Sequence, residues 1–82
     1  MVVFLAPGVG GMTVVATRRV GGAVVRNRAR RILREAWRQV EPQAKDDFDA
    51  VLVAKAAIRG AKTQDLVAEM AELLRRAGMV RA

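Results

Sequence analysis

The chain has 82 residues, 52% of them hydrophobic, a formal net charge of +7, and neither Cys nor His. That length sets one small domain, residues 1–82, near the lower limit for an unaided core. Without Cys or His, a disulfide framework, a thiolate or imidazole metal site, and Ser–His or Cys–His catalysis on this chain alone are all but excluded. The longest apolar stretch near the start, Val2–Ala6, is far shorter than a signal-peptide core, and no segment is long enough to span a membrane. A cytoplasmic location is expected, with no membrane and no small-molecule substrate.

Val2–Ala6 reads as a strand. Pro7-Gly8-Val9-Gly10-Gly11 reads as a turn, since glycines permit positive φ and Pro7 stops strand pairing. Met12–Thr17 resumes strand character, so the two segments are expected to pair as a β-hairpin with a five-residue loop. Gly21-Gly22 breaks the chain before a helix, Ala23 to Val40, which Pro42 ends. After the acidic Asp46, Asp47 and Asp49, the apolar run Ala50–Ala54 reads as a strand buried on both sides. Thr63 is expected to cap a last helix, Gln64–Ala77, with Gly78 at its end. That helix carries an apolar stripe of Leu66, Met70, Leu73 and Leu74. The order is β-β-α-β-α. It predicts an α+β fold, a small sheet of at least three strands with helices packed on one face.

Charge is concentrated in one place. Arg18, Arg19, Arg26, Arg28, Arg30, Arg31, Arg34 and Arg38 share their stretch with one acid, Glu35. That segment therefore carries the +7 of the whole chain, while seven bases and seven acids elsewhere cancel. On the helix, Val25, Ala29, Ile32, Leu33, Ala36 and Val40 fall in one core-facing arc. Arg30, Arg31, Arg34 and Arg38 are placed opposite, with Asn27 among them and Arg26 and Arg28 at the borders. Trp37 lies at the edge of the apolar arc, where packing on the sheet or last helix is expected. A solvated helix face normally mixes signs, so a face of this kind calls for a polyanion. Arginine suits phosphate, because its planar fork grips two oxygens at once. Physics alone does not choose RNA over DNA. A general nucleic-acid-binding module, nucleoid- or ribosome-associated and without a processing role, stands as the alternative.

Val20-Gly-Gly-Ala-Val-Val-Arg-Asn-Arg-Ala-Arg-Arg-Ile-Leu-Arg-Glu-Ala-Trp37 resembles the signature of the bacterial ribonuclease P protein component family. The family pattern is a basic pair, a Val/Ile-Gly-Asn-Ala-Val segment, Arg-Asn-Arg, a second basic pair, two aliphatics and Arg-Glu/Gln-Ala-aromatic. Here these are Arg18-Arg19, Arg26-Asn27-Arg28, Arg30-Arg31 and Trp37. Downstream, Asp49 to Lys55 is similar to the family's last strand, and Leu66 to Ala77 to its closing helix. Gly22 stands where the family has Asn, a small loss at a helix cap. Family members also begin with a further helix and short strand that have no counterpart here, so an N-terminally short form is expected.

The resemblance implies a left-handed β-α-β crossover around the Arg-Asn-Arg helix. It implies the protein subunit of ribonuclease P, which binds the catalytic RNA and assists removal of the 5′ leader from precursor tRNA. It assigns RNA contact to Arg18, Arg19, Arg26, Asn27, Arg28, Arg30, Arg31, Arg34, Arg38 and Lys55. An ordinary strand-end role for Lys55 remains open. Catalytic residues and metal ligands are expected to be absent from the protein, with no cofactor bound by it alone and Mg²⁺ held by the RNA subunit. In the family the extra helix walls a cleft against the sheet, where aromatic and small side chains contact the leader. Asp46, Asp47 and Asp49 are read as a polar turn before a strand and not a magnesium site, because Mg²⁺ tends to use one or two carboxylates with phosphate oxygens and not an all-protein cage. Gly8-Val9-Gly10-Gly11 is read as a turn and not a phosphate-cradling loop.

Overall fold

The strand that comes last in sequence lies at the centre of the sheet. The computed structural model describes residues 1–81. It contains β1 (Val2–Pro7), β2 (Met12–Val15), α1 (Ala23–Val40), β3 (Phe48–Val53) and α2 (Thr63–Arg76), with single 3₁₀ turns at Glu41–Gln43 and Ala56–Ile58. The strand order is β1-β3-β2. β1 pairs antiparallel with β3, and β2 pairs parallel with β3. β2, α1 and β3 therefore form a β-α-β crossover unit.

The expected β1–β2 hairpin is overturned, because β3 lies between the two strands. Gly8–Gly11 spans the end of β3 instead of closing a turn, a distance of two strand spacings, roughly 10 Å. The lead-in to β3 holds that bridge. Gly8 N donates to the Asp47 carbonyl (3.1 Å) and Gly10 N to the Phe48 carbonyl (3.0 Å). The Asp49 carboxylate accepts from Val9 N (3.1 Å) and Gly11 N (2.8 Å). A side chain at Gly8 would collide with that carboxylate, and Gly10 adopts φ +93°, so both positions need glycine. Pro7 does not stop pairing. It sits opposite Phe48 at the end of an outer strand, where a missing N–H is tolerated. Asp49→Ala should remove two charge-assisted bonds and lower stability by about 1–3 kcal/mol. A denaturant melt matching the parent's would show that the bridge holds itself.

β3 is longer than expected and buried on one side only. Phe48, Ala50 and Leu52 point inward, while Asp49, Val51 and Val53 lie on the other face, only partly covered. By register, Val3 and Leu5 of β1 and Met12 and Val14 of β2 share the inner face. The outer face carries Phe4, Val51 and Thr13 in one row and Val2, Val53 and Val15 in the next. Phe4 is 60% exposed there.

α1 spans the predicted residues. Gly21-Gly22 cannot continue a helix, Pro42 ends it, and Ala29, Ile32, Leu33, Ala36, Trp37 and Val40 are buried. Ala29 and Ala36 let the helix approach its neighbours closely, and the long side chains beside them fill the core. Trp37 meets Phe48 edge to face, with ring centroids 6.4 Å apart. α2 adds Leu66, Met70 and Leu74 to the same apolar cluster. Its start corrects the predicted cap. Thr63 is already helical, and the Asp65 carboxylate accepts from Lys62 N (3.1 Å). An acid in the first turn thus reaches back to the N–H of Lys62, the residue before the helix, and Thr63 is not the cap.

Candidate nucleic-acid interface

Parallel pairing of β2 and β3 brings two distant basic sequences to one end of the sheet. Arg18-Arg19 follows β2, and Lys55 follows β3. Together with Thr17, Val20, Val53, Ala54 and Ala56, they line a cleft of about 540 Å³. Asp46, Asp47 and Asp49 lie at the opposite end, where β3 begins. The sheet is therefore polarised in charge along its strands. The Thr17–Gly21 turn that presents Arg18 and Arg19 is an ordered one. Val20 N donates to the Thr17 carbonyl (3.0 Å), Gly21 N donates to the Arg18 carbonyl (3.2 Å), and the Val20 side chain is buried.

The predicted arginines separate into two sets. Arg31, Arg34 and Arg38 are exposed, as is Asn27. With Arg18 and Arg19, these three arginines have no side-chain hydrogen bond or ion pair among the described residues. Glu35 is exposed on the same helix and forms no ion pair among them either. The basic end of α2 behaves differently. There Glu72 gathers Arg75 (2.6 Å) and Arg76 (2.9 Å), and hydrogen bonds from Arg75, then Arg76, hold its carboxyl below the ordinary carboxylate range. The two arginines that end α2 thus share an acidic partner, while Arg31, Arg34 and Arg38 of α1 have none among the described residues.

The second set is tied to main-chain carbonyls. Arg30 is half-buried, which corrects its placement on the outer face. Its Nη1 donates to Asn27 Oδ1 (3.1 Å) and its Nη2 to the Ala16 carbonyl (3.4 Å). Arg26 Nη1 donates to the Gly21 carbonyl (3.3 Å), and Arg28 Nη2 to the Ala61 carbonyl (2.9 Å). Arg26 and Arg30 therefore fasten both ends of the turn that carries Arg18 and Arg19. A helical wheel places Arg26 and Arg28 at the borders of the apolar arc and Arg30 opposite it, but cannot show the carbonyl that each one meets.

The N-terminus of α1 adds to the positive field. Gly22 offers no capping side chain and the first turn holds no acid, so the helix dipole is not offset there. No described helix is long and apolar enough to cross a membrane.

Residues 3–78 match the family model described as Ribonuclease P. The ribonuclease P protein component of Gluconacetobacter diazotrophicus is 46% identical over 64 residues, covering 77% of this chain and 55% of that protein. The same component of Roseiflexus castenholzii is 43% identical over 67 residues, covering 80% and 55%. The chain thus spans about half the length of the curated relatives it matches. Among solved structures, the RNase P protein from Thermotoga maritima superposes with a TM-score of 0.77 at 21% identity, covering 90% of this chain and 76% of that one. That of Staphylococcus aureus gives 0.74 at 17% identity, covering 96% and 75%. Both share the fold.

Proposed function

The chain belongs to the ribonuclease P protein family, and we propose that it serves as the protein subunit of that ribonucleoprotein, in the cytoplasm. It would bind the catalytic RNA through the exposed arginines of α1 and through Arg18, Arg19 and Lys55. There it would screen phosphate repulsion and so raise affinity for precursor tRNA and Mg²⁺. The observation that carries this reading is the set of exposed arginines left without acidic partners on a helix whose opposite face is packed into the core. The test is reconstitution with ribonuclease P RNA at low Mg²⁺. Added protein should restore 5′ cleavage of precursor tRNA, and RNA whose activity stays at the protein-free level would sink the proposal.

Cleavage itself is assigned to the RNA. Asp49 is engaged by two backbone N–H groups of the β1–β2 bridge, which supports a structural role for the acidic turn. Protein freed of RNA, incubated with precursor tRNA and Mg²⁺, should leave the substrate intact. Specific 5′ cleavage that survives nuclease removal of carried RNA would overturn this assignment.

The outer sheet face offers the leader one wall. Stacking on Phe4 and contact with Val51 and Thr13 would favour single-stranded RNA, at about 1–3 kcal/mol per stacked base. Phe4→Ala should therefore lower the preference for precursor over mature tRNA. Parallel titrations of the two tRNAs on the reconstituted parent and variant complexes measure this, and equal preference in both would show that the sheet face does not hold the leader.

A further inference from the structure

The connection from β3 to α2 carries Lys55, Arg59 and Lys62 and not one acid. We propose that Arg59 and Lys62 form a second phosphate-contacting strip for the same RNA, held beside the arginine helix by Arg28. This inference rests on the subunit reading above and extends its binding surface to residues outside the arginine-rich segment.

The connection is built, not loose. Ile58 is buried and anchors it. Ile58 N, Arg59 N and Ala61 N donate in turn to the carbonyls of Lys55 (2.9 Å), Ala56 (3.1 Å) and Ile58 (3.0 Å). Gly60 takes φ +89°, which turns the chain between the two basic residues. Two side-chain bonds then hold the segment against α1. Arg28 Nη2 reaches the Ala61 carbonyl at 2.9 Å, and Gln64 donates to Gln39 Oε1 at 3.4 Å. Arg59 and Lys62 flank the carbonyl that Arg28 grips, so the latch sets both charges next to the helix. Both are exposed, and neither forms an ion pair among the described residues. The nearby Asp65 is occupied with the Lys62 main-chain N–H. A pair of cations on an ordered backbone, beside a row of arginines, can follow one phosphate backbone.

The test compares salt slopes of binding to a ribonuclease P RNA. Arg59→Gln with Lys62→Gln removes both charges, keeps part of each aliphatic stem, and should lower the log–log slope by about 1.4–1.8 while the thermal melt stays at the parent value. Arg31→Gln with Arg34→Gln tests the helix face in the same assay. A lowered slope for the helix pair with an unchanged slope for the loop pair would remove the strip and leave the subunit reading standing. Unchanged slopes for both pairs would remove both. For the latch, Arg28→Gln should weaken binding less in the loop-pair background than in the parent. Full additivity would mean that Arg28 does not position the strip.

Discussion

Leu33→Ala is expected to unfold a large part of the population. Leu33 is 0% exposed and lies on the inner face of α1. Truncating a buried leucine costs about 2–5 kcal/mol, the spread reflecting how far the neighbours collapse into the gap. Leu33 has Ala29 and Ala36 on the same face, and short side chains cannot swing in to fill a cavity. A domain of this size has about 4–12 kcal/mol of stability in total. The loss should therefore lower Tm by roughly 8–40 °C. Val24→Ala is the counter-experiment. Val24 is 83% exposed on the first turn of the same helix, and its truncation should leave the melt within about 0.5 kcal/mol of the parent. The two variants together fix the rotation of α1. A parent-like melt for Leu33→Ala with lost RNA binding would mean that the helix presents the opposite face to the core.

What could be read from sequence was whatever depends on neighbours a few residues apart. α1 has a glycine break, an apolar arc and a terminating proline, all local, and its ends agree with the structure. The arrangement of strands is not local. β1 and β2 are joined by a short glycine-rich segment, the usual mark of a hairpin, yet the carboxylate that shapes this segment belongs to Asp49, about forty residues on. The run Ala50–Ala54 reads as buried on both sides because it is uniformly apolar; the helices pack on one side only, so Val51 remains partly exposed. The same distinction runs through the candidate site. Arg31, Arg34 and Arg38 could be placed from helical periodicity. The grouping of Lys55 with Arg18 and Arg19 required the parallel pairing of β2 and β3, and the inward turn of Arg30 required the Ala16 carbonyl. Arg59 and Lys62 carried no periodic signal, being two cations in an irregular connection.

Replacing Arg31, Arg34 and Arg38 together by Gln should strip affinity for RNA while the fold persists. Each is exposed, and none makes a hydrogen bond or ion pair among the described residues, so the folded chain loses no contact. Relief of repulsion among like charges should hold stability level or raise it slightly. Binding responds differently. Each phosphate contact releases condensed counterions, so three lost contacts lower the log–log salt slope by about 2–2.7 and affinity at 0.1 M salt by about a hundredfold. Arg30→Ala is the informative contrast. It leaves the part-buried Ala16 carbonyl without the guanidinium it meets at 3.4 Å, a bond that contributes about 0.5–1.5 kcal/mol. It also frees one end of the turn that presents Arg18 and Arg19. Arg30→Ala should therefore lower stability and affinity together, whereas the triple variant lowers affinity alone. Titration over a salt series, paired with thermal melts, separates the two. A triple variant that keeps the parent slope would show that the exposed arginines of α1 are not the RNA-contacting face.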